Sequence, residues 1–402
     1  MADGDPVTGR ATGTEPALRV LVVDRSEALW GAQRSILGLA PLLAQAGIDP
    51  VLLAPAGGPL PAAWTALGLD HHPFDFPPHR GLRTPARAGV ARGRPGAGTL
   101  AGEALAVARA AAGLRGAIRR SGADVVHSNT LWGHVETAVG GRLAQRPVVL
   151  ELHDLVGPGV GRRLQRLAVG LAAASVAISR AVAEGAGPGV EVVPQAVDLG
   201  RFSPGPRDPE LRRRLGADGE GPLVGILGRI DPGKGVETVV RALADPALAG
   251  RGARLAVVGA PFQGDPDFSR GVEDLAGELL GDRVRFLPPL EDVPAVLRCL
   301  DILVNASAAE PFGLTVLEAQ ATGTAVVATR TGGIPEFVSD GRNGLLVPPG
   351  DVGALAGALL RLLDHPELAG VLARAGRADA EAGHDLTGRA AALARVYRRV
   401  AR

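Results

Sequence analysis

One lysine occurs in the whole chain, Lys234, within Gly228-Arg229-Ile230-Asp231-Pro232-Gly233-Lys234-Gly235. Every other side chain that keeps a positive charge at pH 7 is an arginine, in a composition rich in Ala, Gly and Pro that fits a GC-rich coding sequence. A compact ammonium on a flexible stem is not replaced by a planar guanidinium where it meets a phosphate as a point charge. The bland alternative is a surface lysine in a turn. The spacing Gly228 to Lys234 matches the phosphate loop G-x-x-x-x-G-K, but the next residue should be Ser or Thr to hold magnesium and here it is Gly235, which argues against a P-loop nucleoside triphosphatase. What is left is a strand, a flexible loop, and Arg229 and Lys234 placed to clamp a diphosphate without a metal.

A second constellation is Glu310-Pro311-Phe312-Gly313-Leu314-Thr315-Val316-Leu317-Glu318. Pro311 and Gly313 mark a turn, and a helix is expected from about Leu314, whose first backbone N–H groups favour an anion. Glu318 then lies about one turn inside that helix, within reach of a ribose, and Glu310 just outside, placed for sugar hydroxyls. Dipole complementarity alone accounts for Glu310 but not for the turn or the second acid. Thr331-Gly332-Gly333-Ile334-Pro335-Glu336 adds a turn in which the backbone can be approached closely. In the first half, Trp30-Gly31-Ala32-Gln33 opens a helix after a strand. His153 follows another strand in Glu151-Leu152-His153-Asp154, and His127 has the same placement with weaker support. Asp265-Pro266-Asp267 looks like a metal-binding D-x-D but sits in a Pro/Gly loop and reads as a surface turn. No Cys/His cluster suits zinc, no Gly-x-Ser-x-Gly elbow is present, and no G-x-G-x-x-G follows a strand in the first half, which weakens a nicotinamide-dependent reading.

Short β-branched runs must position these groups. They are expected at Val20–Val23, Val51–Leu53, Asp124–His127, Val148–Leu152, Ser175–Ile178 and Val190–Val193. The second series is Leu223–Leu227, Leu255–Val258, Val284–Leu287, Ile302–Val304, Ala325–Ala328 and Leu345–Val347. Each is followed by an Ala/Leu-rich helical stretch, the pattern of parallel sheets covered on both faces. A length of 402 residues fits two such domains. Ligands collect at the carboxyl ends of strands in sheets of this kind, so the natural site is a cleft between the domains. The expected division is a disordered tail at 1–17, a first domain at 18–200, a Pro/Gly-rich linker at 201–221, a second domain at 222–384 and an amphipathic helix at 385–402.

Hydrophobic content of 46% and charged content of 21% are globular values, and a net charge of +1 gives no case for nucleic-acid binding. The single cysteine, Cys299, excludes an intrachain disulfide, agrees with a reducing compartment and reads as a buried apolar residue. The first residues lack an apolar segment, and the longest apolar stretch, Leu167 to Ile178, is too short to span a bilayer. A cytoplasmic protein is expected. Nine arginines against one acid, Glu103, between Arg80 and Arg120 offer a surface for an anionic membrane face or a phosphorylated acceptor. The plainer reading is a solvated helix face.

Taken together, the motifs resemble those of the retaining glycosyltransferases of family 4, group 1, of GT-B architecture, over nearly all of residues 18–402. The most specific part is the E-x7-E element Glu310 to Glu318. Gly228-Arg229…Lys234-Gly235, Thr331 to Glu336, His153-Asp154 and Val193-Pro194…Val197-Asp198…Phe202 support it. The resemblance implies two Rossmann-like domains facing a central cleft, with the C-terminal helix crossing back onto the first. It implies that Arg229 and Lys234 bind the donor diphosphate, that Glu310 and the backbone N–H groups of Phe312, Gly313, Leu314 and Thr315 hold the transferred sugar, that Glu318 binds the ribose and that His153 lines the sugar pocket. Gly31 and Ala32 would form an acceptor-side loop. The substrate would be a nucleotide sugar, UDP- or GDP-linked, and the acceptor a saccharide, lipid-linked or small-metabolite hydroxyl; no metal or other cofactor is expected. The chain departs from the family pattern at Trp30-Gly31, where two glycines are frequent, at Gln195-Ala196, where Asn-Gly is frequent and only a turn should be affected, and at Pro288 beside the base-binding loop. A catalytically silent scaffold of the same fold, or an epimerase or phosphorylase, are the rival readings.

Overall fold

The computed structural model describes residues 17–26, 28–77, 97–217, 221–261 and 265–402. The expected tail and much of the arginine-rich stretch, residues 80–96, lie outside these.

Two parallel sheets carry the fold. The first comprises β1 (Leu18–Val23), β2 (Ile48–Ala54), β3 (His71–Pro73), β4 (Val125–Ser128), β5 (Val148–Leu152), β6 (Ala174–Ala177) and β7 (Val190–Val192) in the order β3-β2-β1-β4-β5-β6-β7. The second comprises β8 (Leu223–Leu227), β9 (Arg254–Val258), β10 (Val284–Leu287), β11 (Ile302–Asn305), β12 (Ala325–Thr329) and β13 (Leu345–Val347) in the order β10-β9-β8-β11-β12-β13. In each sheet the chain moves outward from the first strand, returns beside it and continues the other way, the doubly wound arrangement. All twelve expected strands form; β3 was not expected. It is three residues of His-His-Pro at the sheet edge, paired only with β2 (Leu52↔His71), and carries no β-branched signal.

Alternation along the strands explains why both faces are covered. On β1, Leu21 and Val23 enter one core layer and Val20 and Val22 another. On β11 and β12, Leu303 and Val326 face one layer while Ile302, Val304 and Val327 face the opposite one. The layer holding Leu21 continues through Phe202, Phe312 and Ile334 into the second sheet, so one apolar cluster joins the two domains.

The C-terminal helix Leu386–Ala401 packs on the first sheet's helix Gly31–Gln45. Leu393 and Tyr397 are fully buried there, and Tyr397 Oη lies 2.9 Å from His127 Nδ1. Asp385 caps this helix by accepting from Thr387 N at 3.0 Å. The linker stretch contains a helix, Pro209–Arg214, capped by Asp208. Asp265 is likewise a cap, accepting from Phe268 N at the start of helix Pro266–Leu280, so Asp265-Pro266-Asp267 is a helix start and not a surface turn. Cys299 is buried. No helix among the described residues is long and apolar enough to cross a membrane. In the helix Ala97–Ser121, Arg109, Arg115, Arg119 and Arg120 are exposed and Glu103 is buried.

Candidate active site

The carboxyl ends of β8, β9 and β11 and the loop after β1 enclose a cavity of about 340 Å³ between the domains. Gly31, Arg229, Lys234, Glu310, Leu314, Thr315 and Glu318 line it together with Trp30, Arg34, Asn305 and Ser307. Its apolar end is formed by Val257, Val258, Pro289, Leu290 and Val293. Among the described residues no group of three or more His, Cys, Asp or Glu side chains sits together in a way that would hold a metal ion.

The loop after β8 is built around Asp231. Its carboxylate accepts from Gly233 N at 2.9 Å, capping the short turn Pro232–Lys234, and its Oδ2 lies 3.3 Å from Arg229 Nη2. One acid therefore holds the Arg229 guanidinium and shapes the turn that carries Lys234. Gly235 then takes φ 68°, and a Cβ there would stand 2.2 Å from the Ala306 carbonyl oxygen. A magnesium-binding Ser or Thr has no room at this position, which agrees with the departure from the phosphate-loop pattern.

Lys234 Nζ lies 2.8 Å from Glu310 Oε2, the same oxygen that accepts from Ser307 Oγ at 3.0 Å and sits 3.5 Å from Asn305 Nδ2. Glu310 is thereby held in one orientation in a nearly buried position. Its Oε1 has no partner among the described residues. The helix Leu314–Thr322 begins beside it, with Gly313 at φ 101° as the N-cap, and its first N–H groups lack intrahelical partners by helix geometry. Glu318 is half-buried in the cavity wall, and burial pushes its carboxyl up to about 7 against the pull of Arg34 and Arg201.

Phe312 does not line the cavity with its side chain. It is buried and stacked on Phe337 at 4.8 Å, with His384 edge-on at 5.8 Å, so it has only backbone to offer a ligand. Gly313 and Ala32 also lie behind the cavity lining. Gly31 and Ala32 do not form a loop: they are the first two residues of the helix Gly31–Gln45, where Gly31 lines the same cavity as the cations and the Ala32 carbonyl lies 3.5 Å from Asn129 Nδ2.

His153 lies outside that lining, in a buried polar chain beneath the first domain's strand ends. Asn129 Nδ2 donates to Asp24 Oδ2 at 2.7 Å, so Asn129 Oδ1 must be the acceptor facing His153 Nε2 at 3.0 Å. Burial holds His153 down to about 4, with Glu151 pulling the other way, so the ring is neutral at pH 7 with its proton on Nε2. Gln195 is part of the same chain. It accepts from Ser35 Oγ at 2.7 Å and its Nε2 stands 3.5 Å from His153 Nδ1. The substitution at Gln195 thus changes more than a turn. His127 is structural, tied to Tyr397 and 3.1 Å from Glu151.

Ser307, Asn305, Arg34 and Asn129 were missed from sequence. A signal exists for two of them: Asn305 and Ser307 directly follow a buried β-branched run at the carboxyl end of a strand, where polar residues are placed for ligands.

The cleft and its lining define a GT-B protein. Residues 30–201 match the family model described as Glycosyltransferase Family 4, and residues 221–365 match the one described as Glycosyl transferases group 1. The chain is 42% identical over 200 residues to a D-inositol 3-phosphate glycosyltransferase of Saccharomonospora viridis, covering 48% of this chain and 46% of that one. It is 36% identical over 291 residues to the protein of that name in Acidothermus cellulolyticus, covering 65% and 64%. The matches thus span about half the length of most of these curated relatives. Among solved structures it is similar to Anabaena HepE in complex with UDP and glucose, at TM-score 0.78 and 25% identity over 94% of this chain and 99% of that one. The chain belongs to the group 1, family 4 glycosyltransferases.

Proposed function

We propose that the protein is a glycosyltransferase that moves a sugar from a nucleoside diphosphate sugar, UDP- or GDP-linked, to an acceptor hydroxyl with retention of configuration and without a metal. The observation that carries this reading is the Lys234–Glu310 pair, 2.8 Å apart, at the start of helix Leu314–Thr322. It puts a cation, a sugar-hydroxyl acceptor and a helix N-terminus around one point. The HepE structure, in complex with UDP and glucose, supports a nucleotide-sugar donor.

In this reading Arg229, Lys234 and the N–H groups at Leu314 and Thr315 hold the diphosphate, Glu310 Oε1 accepts from the sugar's hydroxyls, and Glu318 accepts from the ribose. The acceptor oxygen approaches the anomeric carbon on the face the diphosphate leaves. The new C–O bond forms as the old one breaks, and the acceptor's proton passes to a diphosphate oxygen. Growing charge on that leaving group is met by the two cations, and one preorganised donor of this kind is worth roughly 3 kcal/mol. His153, which the resemblance assigns to the sugar pocket, is neutral and sits behind the cavity lining against Asn129. The acceptor is a saccharide, a lipid-linked group or a small metabolite, and a cytoplasmic site of action with peripheral membrane contact through Arg80–Arg120 belongs to the same proposal.

Calorimetric titration of UDP, GDP and ADP, with and without EDTA, tests it on wild type and Lys234→Ala. Tight binding of one nucleotide, insensitive to EDTA and lost in the variant, is the expected outcome. Absence of binding by any of them would move the protein to the scaffold reading.

A further inference from the structure

Trp30 takes no part in the chemistry just described, yet its placement is not what folding alone would choose. Aromatic residues make up only 3% of the chain, and Trp64 is fully buried, whereas Trp30 is 47% exposed. It lies immediately before the helix Gly31–Gln45, for which it is the N-cap without a side-chain hydrogen bond. Its side chain lines the cavity, and the guanidinium carbon of Arg229 stands 5.1 Å from its ring centroid. The ring comes from the first domain and the cation from the second.

Asp231 and Trp30 hold Arg229 by different means. Asp231, 3.3 Å away, engages a guanidinium nitrogen through a carboxylate oxygen. A carboxylate competes with a diphosphate for such N–H donors. An aromatic face does not, because it attracts the cation through its quadrupole and leaves in-plane donors available. An indole can therefore anchor the guanidinium without consuming what a diphosphate requires.

We propose that Trp30 is a positioning residue for the donor clamp, holding Arg229 at the cavity mouth from the opposite domain so that the diphosphate site is complete only when the two domains are together. This rests on the donor-site reading above. It also gives the departure at Trp30-Gly31 a function, since a glycine there would take the aromatic face away from the Arg229 guanidinium.

The test measures dissociation constants of UDP and UMP, and of GDP and GMP, for wild type, Trp30→Phe, Trp30→Ala, Arg229→Ala and the double variant Trp30→Ala/Arg229→Ala. An exposed indole can be truncated without a core to disturb, and circular dichroism checks that each variant is folded. Trp30→Ala should weaken the diphosphate of the selected base about 5- to 20-fold, the range for a cation–π contact that becomes desolvated. The matching monophosphate should move less than about 2-fold. Trp30→Phe should retain most of the affinity. In the Arg229→Ala background the tryptophan change should add nothing, because its effect passes through the guanidinium. Equal losses for diphosphate and monophosphate, full additivity in the double variant, or unchanged diphosphate affinity in Trp30→Ala would each overturn the inference while leaving the donor site intact. If wild type binds none of the four nucleotides, the donor-site reading itself fails and this inference falls with it.

Discussion

Glu310 shows how much of a site can depend on one carboxylate. Oε2 carries the Lys234 ammonium, the Ser307 hydroxyl and the distant Asn305 amide, so the side chain is oriented before any ligand arrives. Glu310→Gln keeps the shape but sets an amide against Lys234, and turnover should fall about 10²- to 10³-fold, the cost of losing one preorganised electrostatic partner. Steady-state kinetics with an unchanged circular dichroism spectrum checks this; wild-type turnover would remove Glu310 from the mechanism. Glu318 adds a pH dependence. Its carboxyl sits at about 7 in the folded chain, above its unfolded value, so the native state holds the extra proton. Its contribution to stability is present at low pH and is lost as pH rises through about 7. Ribose recognition by an acceptor-only carboxylate runs the opposite way, and nucleotide affinity should rise between pH 6 and 8. Glu318→Gln should flatten that rise in calorimetric titrations at the two pH values. The acids and cations of the site were legible in the sequence because each motif is local to one strand end. Arg34 and the Trp30–Arg229 contact were not, because their roles depend on a partner brought in by the fold.

At the level of elements, β-branched runs flanked by Gly and Pro were enough to place every long strand, and the Ala/Leu-rich intervals were enough for the helices between them. The edge strand β3 escaped because three residues of His-His-Pro form a strand only where β2 offers them a partner. The docking face of the terminal helix was similarly illegible in its own residues, since an amphipathic stripe does not name the surface it covers. The structure supplies the reason for its choice. Arg389 reaches from this helix to Glu151 on β5, and its Nη1 donates to the Val193 carbonyl at 2.8 Å. Burial opposes ionisation of Glu151, but Arg389, His153 and His127 outweigh it and hold the carboxyl far below the usual range. Removing one partner from such a buried pair leaves an uncompensated charge. Arg389→Ala should therefore destabilise the protein by about 3–5 kcal/mol. Replacing both partners, as Arg389→Met with Glu151→Gln, should recover a large part of that loss. Chemical denaturation of wild type and these two variants decides it; an Arg389→Ala loss under about 1 kcal/mol would mean that the pair is solvated in solution.

The molecule as a whole is a pair of sheets whose relative placement decides whether the cleft exists, and the sequence said least about that. Thr331 to Glu336 reads locally as a turn, but in the fold it is the contact between domains. Gly332 and Gly333 let it lie against the Glu310-Pro311 turn of its own domain, since a Cβ on Gly332 would fall 1.8 Å from the Glu310 carbonyl oxygen and one on Gly333 2.5 Å from that of Pro311, and Gly333 also faces the first domain, where a Cβ would fall 2.9 Å from Ser179 Cβ. Glu336 then accepts from Arg180 N and Ala181 N, both at 2.9 Å, at the first turn of a first-domain helix, and Ser179 Oγ donates to the Pro311 carbonyl at 2.7 Å. The turn that presents Phe312 and Leu314 to the donor is thus fastened on its far side to the opposite domain. Hydrogen bonds to a charged acceptor are each worth about 1.5–3 kcal/mol, enough to set the balance between a closed cleft and an open one. Glu336→Ala should shift that balance about tenfold, raising the apparent KM for the donor by a similar factor, because only the closed fraction is competent. The catalytic groups are untouched, so kcat at saturating donor should change little. Small-angle scattering should show a larger radius of gyration for the unliganded variant, returning towards the wild-type value as nucleotide fills the cleft. An unchanged radius together with an unchanged KM would mean that the apolar layer through Phe202, Phe312 and Ile334 holds the domains without help from the carboxylate.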